Sequence, residues 1–365
     1  MKKIGILTFW NVPNYGAYMQ AYALQKFINY RYEECEVYQI SYLNKKHYNV
    51  YYSNINKQYP YWYVNPQFYL GLINYKKRKE EVSRTKKFLE YYQSIPHEDR
   101  DIKHLKLDYL ILGSDIIWDY QIDFFGKDQF LFGIGVNAKK KISYAPSFGT
   151  VISGNTAPDY VHKGLTELDY ISVRDEKSQT IVKEISGRES TVVLDPTLLW
   201  DFSTDENIVK PQINDPYIIV YGSFFSDELI RGAQKYCREN ALKLICLSSL
   251  DDEYDWCDLT IDQDQLNPFE WTGYFKYSDA IMTCTYHGLM FSLIFKKKII
   301  FNMTDFIMKK AESLIECMEL REVLVDYKDF VSKINWAWDY AKLDKKLEQL
   351  RKNSLKFLDG AINNE

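Results

Sequence analysis

Short apolar runs alternate with segments of helical periodicity along most of this chain. The clearest runs are Leu107–Leu112, Tyr170–Val173 and Tyr217–Tyr221, and each is rich in the aliphatic, aromatic or β-branched residues of buried strands. Segments such as 17–28 and 227–239 lie between such runs and repeat apolar residues at the spacing of an amphipathic helix. This alternation predicts an α/β fold in which helices join parallel strands.

The length of the chain indicates more than one domain. A chain of 365 residues is longer than a single hydrophobic core usually supports. The stretch 201–215 is polar and is followed by Pro216, which is typical of a domain boundary. We predict an N-terminal domain at 1–205 with a long irregular insertion at about 42–75, a C-terminal domain at 216–330, and a helical segment at 331–365 that packs back on the first domain.

Composition and charge narrow the classes of function. The formal net charge of −4 argues against a general nucleic-acid binder. The six cysteines include no CxxC pair and several lie in apolar runs, which favours reduced thiols over disulfides or zinc. We find neither a signal peptide nor an apolar stretch long enough to span a membrane, so we expect a cytoplasmic protein.

Clusters of basic residues are candidates for a binding surface, and clusters of acidic residues are candidates for metal ligands. Lys45, Lys46, Lys57 and the basic run 76–79 are interleaved with aromatic residues, which suits peripheral contact with an anionic inner membrane face or a lipid-linked glycan. The alternative is a solvated surface insertion. Acidic residues cluster near 251–255 and 262–264, but both clusters lie in polar connecting segments, so we predict solvated loops and no metal site.

One histidine lies where a predicted strand meets a predicted helix. His287 follows the apolar strand Ala280–Cys284 and precedes Gly288 and an apolar helix. Such turns lie at the carboxyl edge of an α/β sheet, where ligands bind and the N–H groups that open a helix attract anions. Gly288 allows a ligand to approach the backbone closely. We predict a functional role for His287, and the alternative is a packed histidine bonded to a backbone carbonyl.

Other predicted strands also end in polar residues, which indicates a polar cleft wall along one sheet edge. The first strand leads into a loop and a helix without a GxGxxG or Walker pattern, so neither a dinucleotide site nor a P-loop is supported. Asn14 is placed to cap that helix. The candidate acceptor or cleft residues are Asn14, Tyr15, Gly16, Gln20, Gly113, Ser114, Asp115, Ser147 and Asp195.

Arg174 follows the predicted strand Tyr170–Val173 and has two interpretations. A guanidinium at a sheet edge can bind a carboxylate or a phosphate through two hydrogen bonds. The same side chain can instead form an ion pair with Asp175 or Asp195. The sequence favours neither role over the other.

Several short motifs follow one another in a specific order and spacing. They are Asn14–Ala17 with Gln20–Leu24, Gly113–Asp115, Ser147–Gly149, Ser172–Asp175, Asp195–Pro196 and His287–Gly288. Together they resemble the polysaccharide pyruvyl transferase family over most of the chain. The resemblance implies a GT-B-like fold with two Rossmann-like domains facing a central cleft. It also implies transfer of a pyruvyl group from phosphoenolpyruvate to sugar hydroxyls of a cell-surface polysaccharide or its lipid-linked precursor, which forms a ketal.

The resemblance also implies roles for individual residues. His287 would be catalytic, and the acceptor, a glycan or lipid-linked oligosaccharide, would be reached from the first domain. The implied donor-binding residues are Arg174, Thr285, Tyr286, Gly288 and Leu289. Phosphoenolpyruvate is a substrate, so no cofactor and no metal are implied. The oligomeric state and the acceptor sugar are left open.

Two alternatives remain at this point. Members of the family commonly carry arginine and leucine where this chain has Thr285 and Tyr286. That difference favours a GT-B glycosyltransferase that uses a nucleotide sugar, or a glycan-binding relative without catalysis. The high aromatic content of 16% also suits a glycan-binding protein, and the alternative is that it follows from the compositional bias of the genome.

Overall fold

The computed structural model describes residues 1–52, 88, 91, 95–125, 127–248 and 254–363. Of these, residues 1–52, 95–200 and 345–363 belong to one compact unit, unit 1, and residues 201–344 belong to a second, unit 2. Lys45–Tyr52, which we predicted to be irregular, form a helix. The rest of the predicted insertion lies outside the described residues, as do Lys57, the basic run 76–79 and acidic residues 251–253.

Unit 1 is built on a parallel sheet. Its strands are β1 Lys2–Leu7, β2 Cys35–Ile40, β3 His97–Glu98, β4 Leu107–Leu112, β5 Ala138–Ser143, β6 Tyr170–Val173 and β7 Thr191–Val192. They form one seven-stranded sheet in the order β3-β2-β1-β4-β5-β6-β7. The helices that connect them include α1 Tyr15–Arg31, α2 Lys45–Tyr52, α3 Asp159–Glu167 and α4 Glu176–Ser186.

Unit 2 repeats this organisation with fewer strands. Its strands are β8 Tyr217–Tyr221, β9 Lys243–Ser248, β10 Leu259–Asp262, β11 Ala280–Thr283 and β12 Lys298–Phe301, in the parallel order β10-β9-β8-β11-β12. Its helices are α5 Asp227–Asn240, α6 Pro268–Lys276, α7 Tyr286–Ile294, α8 Asp305–Cys317 and α9 Phe330–Ile334, with a π-helical turn at Glu322–Asp326. Parallel sheets with connecting helices confirm the predicted α/β fold class.

Polar side chains cap several of the helices at their first turns. Asn14 accepts a hydrogen bond from the Ala17 N–H at 3.1 Å, so it caps α1 as expected. The Asp175 carboxylate accepts from the Ser178 N–H at 2.7 Å and caps α4. Asn267 forms a complete capping box with Glu270 at the start of α6. These caps fix the point at which each strand-to-helix loop ends.

Each unit has its own apolar core on its sheet. In unit 1, Leu7, Leu110 and Leu112 of the central strands are fully buried together with Trp118 and Phe148. In unit 2, the buried strand residues include Ile218, Val220, Met282 and Ile300. Burial of such side chains contributes about 1.5–3 kcal/mol each, so these cores hold the strand exits rigidly in place.

The strand order of each sheet reverses at one point. In unit 1 the chain runs outward in one direction from β1 and in the other from β4, and in unit 2 the same divergence separates β8 from β11. Open α/β sheets bind ligands outside the carboxyl ends of the strands at such a reversal. The loops that follow β1 and β4, and those that follow β8 and β11, are therefore the positions to examine for a site.

The last helix, α10 Tyr340–Asn363, begins in unit 2 and has its larger part in unit 1. Its unit-1 part is held by several hydrogen bonds. The Leu194 N–H donates to Ser354 Oγ at 2.9 Å, Tyr109 Oη donates to the Ile362 carbonyl at 2.8 Å, and Arg31 pairs with Asp359 at 2.6 Å. None of the helices among the described residues combines the length and the hydropathy needed to cross a bilayer.

Candidate functional site

Three buried polar side chains connect the loops that follow β1 and β4 in unit 1. Thr8 Oγ1 donates to the Ser114 carbonyl at 2.9 Å, and Gln20 Nε2 donates to Thr8 Oγ1 at 3.0 Å. Ser114 Oγ donates in turn to Gln20 Oε1 at 2.8 Å. Gln20 and Ser114, both predicted as cleft residues, have no exposed surface. They hold the two loops together at the reversal, so their role in a site would be to position other groups.

The remaining predicted residues of unit 1 differ in accessibility. Gly113 has a φ of +115°, and a Cβ there would lie 2.3 Å from the Tyr144 carbonyl oxygen, so a side chain is excluded. The side chain of Asp115 keeps 15% of its surface exposed. Asn14 is exposed, whereas Tyr15, Gly16, Ser147 and Asp195 are buried. Asp115 and Asn14 are therefore the unit-1 candidates that solvent reaches most readily.

Arg174 lies between two carboxylates of unit 1. Its Nη1 is 3.1 Å from Asp195 Oδ2 and 4.0 Å from Asp115 Oδ1, and its side chain is 4% exposed. The ion pair with Asp195, one of the two roles left open by the sequence, is therefore present. One guanidinium beside two carboxylates leaves a local charge of about −1, which disfavours an anionic donor at this position.

Asp195 and Ser147 stabilise the backbone around Arg174 through hydrogen bonds within the protein. Asp195 Oδ1 accepts from the Thr197 N–H at 3.0 Å and from Thr197 Oγ1 at 2.7 Å, which begins a short 3₁₀ turn. Ser147 Oγ accepts from the Gly149 N–H at 3.1 Å. Both predicted residues use their polar atoms within the protein, so they fix the backbone around Arg174.

A second histidine, His47, lies near Asp115 and was not among the predicted site residues. It is 2% exposed and packs against the rings of Phe9, Phe124 and Phe125, with centroid distances of 4.6–5.5 Å. Burial lowers the pKa of its imidazole to about 4, and the charge of Asp115 opposes this shift. His47 lies between lysines and tyrosines in a segment that the sequence marked as irregular, and this context concealed it.

In unit 2, threonine hydroxyls organise the turn between β11 and α7. The Thr285 N–H donates to Thr283 Oγ1 at 3.1 Å, and the Gly288 N–H donates to Thr285 Oγ1 at 3.0 Å, so Thr285 caps α7. A Cβ on Gly288 would lie 2.2 Å from Thr283 Oγ1. Packing against Thr283 thus explains the glycine, and its N–H is bonded to the Thr285 hydroxyl within the protein.

His287 lies in the first turn of α7, at the reversal in the sheet of unit 2. It is half-buried, and its ring meets the Tyr286 ring edge-on at a centroid distance of 5.4 Å. Tyr286 is buried, and Leu289 is completely buried in the core. Of the residues predicted around this turn, His287 and Thr285 therefore retain the most accessible side chains.

The loop that follows β8 lies directly beside this turn and was missed in the sequence. Cys284 Sγ accepts from the Ser223 N–H at 3.2 Å and donates to the Ser223 carbonyl at 3.1 Å. The available signal was the short stretch Gly222–Ser226, with two phenylalanines immediately after an apolar strand. Within the described part of the chain, no three His, Cys, Asp or Glu side chains come together as a metal site would require.

Comparison with known proteins gives one family and several similar folds. No curated protein matches the sequence. Among solved structures the chain is similar to Staphylococcus aureus MnaA with UDP (12% identity, 99% of this chain and 96% of that chain, TM-score 0.47). It is also similar to the UDP-GlcNAc 2-epimerase of Methanocaldococcus jannaschii (11%, 96% and 100%, 0.42) and to the glycosyltransferase SnogD of Streptomyces nogalater (10%, 98% and 95%, 0.39). A model of the polysaccharide pyruvyl transferase family matches residues 14–301, and this chain belongs to that family.

Proposed function

We propose that this protein transfers the pyruvyl group of phosphoenolpyruvate to two hydroxyls of one sugar, in a cell-surface polysaccharide or its lipid-linked precursor. The observation that carries the proposal is the place of His287. In a chain of this family, a half-buried histidine stands in the first helical turn at the sheet reversal of unit 2. An imidazole is suited to proton transfer near neutral pH.

The reaction has a defined balance of bonds and protons. An acid protonates the terminal methylene carbon of phosphoenolpyruvate, which becomes the methyl group, and the adjacent carbon becomes electrophilic. One sugar hydroxyl adds to that carbon and releases its proton. The second hydroxyl displaces phosphate and also loses its proton, so the products are a cyclic ketal and inorganic phosphate. His287 serves as the acid that protonates the methylene carbon.

Charge separates the donor role from the acceptor role in this proposal. The N-terminus of α7 beside His287 carries the positive end of the helix dipole and suits the donor's phosphate or carboxylate. The unit-1 cluster of Asp115, Arg174 and Asp195 has an excess of negative charge and suits neutral hydroxyls instead. We therefore assign Asp115 to bind hydroxyls of the glycan chain and Arg174 to position that carboxylate.

The proposal is tested by phosphate release from phosphoenolpyruvate in the presence of a panel of methyl glycosides and lipid-linked oligosaccharides. His287→Ala and His287→Gln should reduce turnover by at least 100-fold, in line with the loss of a general acid. His162→Ala changes an exposed histidine on α3 and should leave the rate unchanged. Full activity in both His287 variants would remove this histidine from catalysis. Turnover of a nucleotide sugar instead of phosphoenolpyruvate would establish the glycosyltransferase alternative.

A further inference from the structure

The loop Gly222–Ser226 occupies the same sheet reversal as His287. It follows β8, whereas His287 follows β11, and these two strands are neighbours whose last residues, Tyr221 and Thr283, pair in register. Strand order diverges between them, and the loop leads into α5 while the histidine opens α7. Both therefore border the crevice that open α/β sheets use for ligands.

Hydrogen bonds fix nearly every part of this loop. Ser223 exchanges two hydrogen bonds with Cys284 Sγ, at 3.2 and 3.1 Å. Gly222 has a φ of +119°, a Cβ there would lie 2.5 Å from Cys284 Sγ, and its carbonyl accepts from the Tyr254 hydroxyl. Asn302, at the end of β12, donates its Nδ2 to the Phe224 carbonyl at 3.1 Å. The exits of three adjacent strands are thus tied together around this loop.

One phenylalanine of the loop packs against the core of unit 2, and the other is exposed to solvent. Phe225 packs against the core of unit 2, and its ring lies 6.2 Å from the ring of Trp256. Phe224 has a φ of +61° and is 90% exposed. A bulky residue rarely adopts positive φ, and a phenyl ring in water gains nothing from burial. The fold therefore holds an aromatic ring in solvent, on a fixed backbone, in a loop that follows the strand next to the one preceding His287.

We propose that Phe224 is the platform on which unit 2 holds the ring of the acceptor sugar, an inference that rests on the proposed function. The apolar C–H face of a pyranose can lie on a phenyl ring, and a ring with few rotatable bonds loses little conformational entropy on binding. The tethers on Gly222, Ser223 and Phe224 prepare the ring in advance, which reduces the cost of ordering it when the sugar binds. This contact orients two of the sugar's hydroxyls toward the donor carbon next to His287.

Direct binding tests the platform independently of turnover. Saturation-transfer NMR titrations would measure the affinity of methyl β-D-galactopyranoside, methyl β-D-glucopyranoside and methyl α-D-mannopyranoside for the intact protein. At least one should bind, and Phe224→Ala and Phe224→Leu should each weaken that binding by about tenfold or more, equal to about 1.4 kcal/mol. Phe224→Tyr should remain within about threefold of the parent, because its ring can still stack. Val331→Ala removes another exposed apolar side chain, on α9, and should have no effect.

The possible outcomes separate this inference from the proposed function. The inferred role of Phe224 would be overturned if the parent protein bound none of the glycosides. It would also be overturned if the alanine and leucine variants bound them with parent-like affinity. Glycoside binding that depends on Phe224, without any turnover of phosphoenolpyruvate, would support the platform and reject the reaction. Where turnover is measured, Phe224→Ala should raise the KM for the acceptor and leave the KM for phosphoenolpyruvate unchanged, a split that general unfolding would not produce.

Discussion

Replacement of His47 should remove a specific acid sensitivity of this protein. The imidazole has a pKa of about 4 in the folded chain and about 6.5 when unfolded. Above pH 6.5 it is neutral in both states. Between pH 6.5 and 4 the unfolded chain binds a proton that the folded chain does not, so the free energy of unfolding falls as the pH falls. The full loss is roughly 3 kcal/mol, of which roughly 2.5 kcal/mol is reached by pH 4.5.

Urea unfolding of the parent and of His47→Leu at pH 7.5, 6.5, 5.5 and 4.5 would measure this loss. Leucine fills a similar volume among Phe9, Phe124 and Phe125 but does not titrate. The difference in unfolding free energy between the two proteins should be constant above pH 7 and shift in favour of the variant below pH 6.5. His162→Leu, at an exposed site, should follow the parent curve. Parallel curves of unfolding free energy against pH for the parent and His47→Leu would show that the buried imidazole does not cause the acid sensitivity.

Two further substitutions test the packing of the candidate sites. Asp195→Asn leaves Arg174 buried without its close carboxylate and should cost about 3 kcal/mol of unfolding free energy, whereas Glu189→Gln, which breaks an exposed ion pair, should cost under about 1 kcal/mol. Gly288→Ala drives a Cβ to 2.2 Å from Thr283 Oγ1 and should cost about 2–3 kcal/mol. At Gly187, where a Cβ meets nothing within 4 Å, alanine should cost about 1 kcal/mol. Equal losses within either pair, measured by urea unfolding, would contradict the argument.

Strands buried on both faces could be predicted closely from the sequence. The bounds of β4, β6 and β8 agree with the predictions because each strand is rich in aliphatic and aromatic residues and is bounded by polar residues, glycine or proline. β10 was missed because it is an edge strand, Leu259–Asp262, whose side chains are mostly exposed, so no apolar run marks it. α3 was also missed, since its buried face consists of only Val161, Gly164 and Leu165.

The candidate site was harder to predict, because its determinants are contacts between distant residues. The strand-to-helix turn at His287 could be predicted, because its placement depends on local periodicity alone. The roles of Gln20 and Ser114 depend on a hydrogen bond between residues 94 positions apart, which a local sequence pattern does not indicate. Gly288 shows the same limit, because its need for a bare Cα comes from the Thr283 hydroxyl, which the fold brings against it.

The course of α10 imposes an order on biosynthesis. Segments of unit 1 from the first 200 residues of the chain form hydrogen bonds with Ser354, Asp359 and Ile362. A ribosome releases those residues only after the strands and helices of 201–344 have emerged. The N-terminal sheet therefore lacks these hydrogen bonds until α10 has been translated. A fragment that stops near residue 200 would lack the helix that covers Leu194 and Tyr109, and aggregation during expression is its expected fate.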